Sequence, residues 1–165
     1  MAANELYETR PSTDIIVCAS RGGEGSRAAL QAATDYARES NTVVRFLYIV
    51  DELQFSDVEP VLKPALMQEL LWTGRTLMEL ASRRGNLAGV TCEVVIRQGR
   101  TRDAIVTYML EHQVKALFLG APRGTTANIF GDDEIEQFAM EIEKQTNAKV
   151  AIVRPEDMVS NTTKT

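Results

Sequence analysis

Asp14-Ile15-Ile16-Val17-Cys18-Ala19-Ser20-Arg21-Gly22-Gly23-Glu24-Gly25-Ser26 decides the fold of this chain. Residues 14–19 form a short continuous apolar run, which marks a strand buried on both faces and therefore a parallel sheet covered by helices on each side. The run stops at a loop holding three glycines. Ser26 is a cap residue for a helix running to about Glu39, with Leu30, Ala33 and Ala37 on one face. A strand that feeds a helix through a glycine-rich turn is the opening half of a βαβ unit.

The same alternation continues outward from there. Residues 42–50 (TVVRFLYIV) read as a second strand. Pro60 and Pro64 precede a long helix ending near Arg84, with Leu66, Leu70, Thr73, Leu77 and Leu80 as its buried stripe and Gly85 as its stop. Residues 90–97 alternate, with Val90, Cys92, Val94 and Ile96 against Thr91, Glu93, Val95 and Arg97, as expected of a half-exposed strand near a sheet edge. Thr101 caps a third helix that turns Ile105, Tyr108 and Met109 inward. Residues 115–120 (KALFLG) form a fourth buried strand. Asp133 and Glu136 have capping-box spacing for a last helix. Its inner face is Ile135, Phe138, Ala139 and Ile142, and Asn147 ends it. Residues 149–153 (KVAIV) are the fifth strand, closed by Pro155.

Regular βα alternation gives an α/β fold: a single doubly wound five-stranded parallel sheet with helices on both faces. Strands one and four carry the most continuous apolar runs and belong at the centre. Right-handed crossovers leave few topologies, and the strand order 3-2-1-4-5 satisfies this placement. The chain changes direction between strands one and four, and a crevice at their carboxyl ends is where such sheets bind ligands. The expected domain spans residues 13–155, with polar tails at 1–12 and 156–165.

Composition narrows the function. The 165 residues are 44% hydrophobic and 25% charged, enough for one domain with a real core. Lys+Arg is 18 and Asp+Glu is 23, a net charge of −5, which argues against a sequence-independent nucleic-acid binder. No apolar run approaches the ~20 residues of a membrane span, and residues 1–11 lack a signal-like apolar stretch. A cytoplasmic location without membrane insertion is the expectation. Cys18 and Cys92 each sit in an apolar run and read as buried thiols. One histidine, His112, leaves little room for a zinc site or a Ser-His-Asp triad, and its place at a helix end suits a C-cap or surface role.

Two loops meet at the switch point: residues 20–26, and Gly120-Ala121-Pro122-Arg123-Gly124-Thr125-Thr126-Ala127-Asn128-Ile129-Phe130-Gly131. Glycines let backbone amides approach an anion, and helix starts add partial positive charge. Arg21 and Arg123 add formal charge. Ser20, Ser26, Thr125 and Thr126 offer hydroxyls. Against this, Asp132, Asp133 and Glu134 suit the dipole of the last helix but repel a phosphate on its first turn. Glycine and serine are also ordinary turn residues.

Taken in order, several segments resemble the universal stress protein family over about residues 14–155. These are I-I-V-C-A-S…S-R-A-A-L, L-Y-I-V-D (47–51), Q-G-R-T-R-D-A-I (98–105), A-L-F-L-G (116–120) with its glycine loop, and K-V-A-I-V-R-P (149–155). The resemblance implies a five-stranded α/β domain, commonly a homodimer joined through the last strand, and in many members binding of ATP or another adenine nucleotide. It also implies an acidic residue at the end of the first strand and a Gly-x2-Gly-x9-Gly-[Ser/Thr] loop after the fourth. Here Ser20 stands at the first place. The loop reads Gly120-x3-Gly124-x6-Gly131, with Asp132 after it. Ser20-x-Gly22-Gly23-x-x-Ser26 is also loosely similar to the Ser-Gly-Gly-x-Asp-Ser loop of ATP pyrophosphatases, with an additional residue and no catalytic partner following.

The sequence reading is therefore a regulatory module that binds an adenine nucleotide such as ATP or AMP, or a related small anion, and carries out no chemistry of its own. Ser20, Arg21, Gly22, Gly23, Gly25 and Ser26 would hold phosphate or ribose. Ile49 would contact the base through its backbone, as the resemblance implies, with Gly120, Arg123 and Gly124 opposite. Two alternatives stand beside it. One is a ligand-free dimeric scaffold or soluble partner of a membrane transporter or signalling protein, its crevice closed by Pro122 and Phe130. The other is an ATP-hydrolysing enzyme using Glu24, Asp51, Asp132 or Asp133. Trp72 and Phe55 are a candidate partner surface, and residues 53–60 a candidate lid.

Overall fold

The computed structural model describes residues 14–20, 24–121 and 131–155. The expected tails, Arg21, Gly22, Gly23 and residues 122–130 lie outside the described residues. Five strands, β1 (Ile15–Ser20), β2 (Val43–Val50), β3 (Cys92–Gln98), β4 (Val114–Gly120) and β5 (Lys149–Val153), alternate with four helices, α1 (Glu24–Ser40), α2 (Lys63–Leu87), α3 (Thr101–Glu111) and α4 (Gly131–Gln145). The strands form one parallel sheet in the order β3-β2-β1-β4-β5, as the apolar runs require.

Strand parity divides the core in two. Val17, Ala19, Leu47, Ile49, Leu117 and Leu119 face one side, where Ile105, Tyr108 and Met109 of α3 and Ile135, Phe138 and Ile142 of α4 cover them. Ile16, Cys18, Phe46, Tyr48 and Phe118 face the other, under the alanines of α1 (Ala29, Ala33, Ala37) and Met78 of α2. All six residues of β1 are buried, the consequence of a strand with helices above and below. Edge strand β3 is only half buried.

Several local expectations shift. Helix α1 starts at Glu24, so Ser26 lies inside the helix and does not cap it. Helix α2 runs through Gly85 to Leu87, and Gly89, with φ 84°, is the glycine that leaves the helix. The face of α2 on the sheet keeps Leu66 and Leu70 of the expected stripe and departs from it in the C-terminal half. Gly74, Met78 and Gly85 are buried, and Leu77 and Leu80 are 43% and 49% exposed. The close approach explains the departure: a Cβ on Gly74 would run into the ring of Tyr48, and one on Gly85 into the Cys92 thiol. Thr101 is the first residue of α3, after Arg100, and its side chain turns to Asp51. His112 ends α3, stacked 4.1 Å from the Tyr108 ring with Nδ1 3.0 Å from the Tyr108 carbonyl.

The two candidate surface elements separate. Phe55 is buried at the end of a short 3-10 helix (Glu52–Phe55), whereas Trp72 is 68% exposed on α2. Residues 53–60 are tied down by Phe55, by the Asp51 cap, and by successive backbone turns at Ser56 and Val58.

Candidate functional site

The site begins at the point where β1 and β4, neighbours at the centre of the sheet, send their chains to opposite faces. Ser20 ends β1 with its side chain on the α1 face, 4% exposed. Gly25 sits in the first turn of α1, and Gly120 ends β4. The two glycines lie in backbone contact. A Cβ on Gly120 would stand 2.5 Å from the carbonyl carbon and oxygen of Gly25 and 2.8 Å from the Ser26 nitrogen. One on Gly25 would stand 2.6 Å from the Ala121 carbonyl carbon and 2.8 Å from its nitrogen. Neither glycine has a positive φ, so what excludes a side chain is space alone. Ala121 is fixed in turn, its N–H donating to the Val153 carbonyl at 2.9 Å. The first turn of α1 and the end of β4 therefore meet at the switch point.

Strand β2 overshoots. Its pairing with β1 ends at Ser20↔Tyr48, leaving Ile49 and Val50 beyond the last β1 partner. Parallel strands turn successive residues' N–H and C=O groups to alternate sides. The Val44 N–H donates to Thr91 and the Val50 carbonyl accepts from Gly99, both on the β3 side. Ile49 therefore turns its backbone polar groups toward β1, at the rim of the crevice, while its side chain is buried in the core at 1% exposure.

One residue on, Asp51 organises the rim. It is 3% exposed and acts as an acceptor for two helices. One oxygen takes the Leu53 N–H at 2.9 Å. The other takes both the N–H and the hydroxyl of Thr101 at 2.9 Å. This carboxylate thus supplies an acceptor to a free N–H group at the start of α3 from 50 residues away. Spacing alone did not show this. The one sequence signal is an acidic residue directly following the apolar run Phe46–Val50.

The remaining candidates divide as follows. Ser20, Gly25, Ser26, Ile49 and Gly120 are brought to the carboxyl end of the central strands. Arg21, Gly22, Gly23, Arg123, Gly124, Pro122 and Phe130 lie outside the described residues, as do the side chains of Glu24, Asp132 and Asp133. Glu134 is engaged, with the Arg102 guanidinium 3.6 Å from its carboxylate and 3.3 Å from its carbonyl. Cys18 lies beneath the site, and burial pushes its thiol up to about 12, so it is inert rather than nucleophilic. Among the described residues, no cluster of His, Cys, Asp or Glu is suited to hold a metal ion, and no helix is long and apolar enough to cross a membrane.

The model of the Universal stress protein family matches residues 12–154. No curated protein matches the chain. Among solved structures, the universal stress protein UspA from Lactobacillus plantarum is similar at 18% identity and TM-score 0.67, covering 86% of this chain and 97% of that one. A universal stress protein in complex with cAMP is similar at 18% identity and TM-score 0.55, covering 85% and 96%. One from Archaeoglobus fulgidus in complex with dAMP is similar at 15% identity and TM-score 0.51, also covering 85% and 96%. At these identities the likeness is one of fold.

Proposed function

Because the chain belongs to the universal stress protein family, we propose that it is a small cytoplasmic regulatory domain, residues 13–155, that binds an adenine nucleotide in the crevice between β1 and β4. The observation that carries the reading is the backbone contact of Gly25 with Gly120 and Ala121. It sets the first turn of a 17-residue helix against the end of β4 at the topological switch point, which supports a ligand site there. The solved relatives in complex with cAMP and dAMP support an adenine ligand.

In this reading the base lies against the backbone of Ile49, which gives a hydrogen-bonding edge without a polar side chain. Ser20, Gly25 and Ser26, with Arg21, Gly22 and Gly23, hold ribose and phosphate. Gly120, Arg123 and Gly124 close the opposite wall. Ser20 in place of a carboxylate removes one negative charge from the phosphate side of the crevice. The acidic run 132–134 keeps a long polyphosphate off the start of α4, so a monophosphate or cyclic monophosphate is the better ligand. Binding orders the loop 120–131 and changes the surface offered to a partner, a shift of population without bond chemistry. A homodimer through β5 completes the proposal. That strand is a sheet edge with Val150, Ala151 and Ile152 only half covered, and pairing two such edges removes an exposed ladder.

Titration calorimetry with ATP, AMP and cAMP tests the ligand. Binding of AMP or cAMP more tightly than ATP is expected, and Arg123→Ala is expected to weaken it by about 10–100-fold, the worth of one charge-assisted hydrogen bond. Absence of heat with all three at millimolar concentration refutes it.

A further inference from the structure

A second concavity, of about 770 Å³, lies between α1 and the C-terminal half of α2. Ala28 of α1, Ala81 of α2, Ala88 directly after α2, and Pro155 are among its lining residues. Arg27 and Arg84 stand on its opposite walls. Neither forms an ion pair with a described residue. The apolar flank continues along α2 through Leu77 and Leu80, each one helical turn before a groove residue and each about half exposed. The helix carries two adjacent apolar stripes, and the sheet takes only one of them.

We propose that this groove is the docking site of the chain's own residues 156–159. Three observations point to that occupant. The described chain leaves the sheet at Pro155, which is itself a wall of the groove. The next residues are Glu156-Asp157, opposite in charge to Arg27 and Arg84, followed by Met158-Val159, an apolar pair suited to the alanine lining. The reach also matches. The groove follows seven residue steps of α2, from Ala81 to Ala88, or about 10 Å of helix. Four extended residues span about 13 Å. Docked in this way, the segment clamps β5, which Arg154 and Pro155 follow, to the α1 face. The edge proposed for dimer pairing and the groove become linked through these two residues of chain.

Methyl-resolved NMR of the full chain tests the proposal. Met158→Asp, and separately deletion of residues 156–165, are expected to shift the same Ala28, Ala81 and Ala88 methyl signals. Arg27→Glu combined with Arg84→Glu is expected to move the Met158 methyl to its position in the urea-unfolded chain. Changes confined to Arg154 and Pro155 overturn the proposal. A concentration-dependent shift of the three alanine methyls that survives the deletion also overturns it and assigns the groove to a second copy of the chain.

Discussion

Replacing Gly25 with alanine sets two physical effects of opposite sign against each other. Gly25 is the second residue of α1. Helix propensity alone favours alanine over glycine by up to about 0.8–1.0 kcal/mol, and by less in a first turn. Packing opposes it. The new Cβ would stand 2.6 Å from the Ala121 carbonyl carbon and 2.8 Å from its nitrogen, backbone atoms that cannot swing aside as the end of a side chain can. The end of β4 is held by the Ala121–Val153 hydrogen bond, so relief means displacing either β4 or the helix start. Overpacking of this kind costs about 1–3 kcal/mol, which leaves a net loss of about 1–2 kcal/mol after the propensity gain. For a domain of this size the midpoint falls by roughly 2–4 °C per kcal/mol, so a drop of about 2–8 °C is expected. Urea denaturation and a thermal scan measure it. Gly120→Ala meets the same contact from the other side. The double variant is expected to lose less than the sum of the singles, because the first displacement makes room for the second methyl. A Gly25→Ala protein as stable as the parent, or more so, refutes the close packing of the start of α1 on the end of β4.

Asp51→Ala strands the Leu53 and Thr101 N–H groups and the Thr101 hydroxyl, and a loss of about 2–4 kcal/mol in urea denaturation is expected; Thr101→Val, which removes one of these bonds, is expected to cost about 1 kcal/mol. Gly85→Ala is expected to destabilise through the Cys92 thiol and to be largely rescued by Cys92→Ala, whereas Gly74→Ala, which meets the Tyr48 ring, keeps its penalty in the Cys92→Ala background. Cys18 is expected to resist alkylation at pH 8.5 in the folded protein while half-buried Cys92 reacts slowly. The ionisation of Cys18 in the folded state is raised from 9.0 to about 12, so the folded state holds that thiol proton longer than the unfolded one. That contribution is fully present below pH 9 and is lost as the pH rises through about 12, visible as an alkaline fall in stability.

The strand order was legible because burial on both faces leaves no polar alternation. β1 and β4 carry the most continuous apolar runs, and they occupy the centre. The register of α2 was not. A count of large apolar residues selects Leu66, Leu70, Leu77 and Leu80, but a helix lying close on a sheet needs small residues at the contact. Leu66 and Leu70 pack on the core together with Met67 and Leu71, but beyond them Gly74, Ala81 and Gly85 set the inner face around Met78, leaving Leu77 and Leu80 about half exposed. The start of α1 was misplaced for a related reason. Gly25 reads as a loop residue, yet it is helical, and it is glycine because β4 passes against it. The Asp51–Thr101 link depends on a contact across 50 residues, which no local pattern reports. At the site, the strand order brought Ser20, Gly25, Ile49 and Gly120 to one end of the sheet, while the backbone direction of Ile49 emerged only from the pairing register.

Amide chemical-shift mapping during an AMP titration tests the nucleotide crevice most directly. The expected result is a saturable set of shifts at Ser20, Gly25, Ser26, Ile49 and Gly120, with the β3 edge and the outer face of α2 unchanged. No shift at millimolar AMP, or a saturable set centred on any other surface, contradicts it.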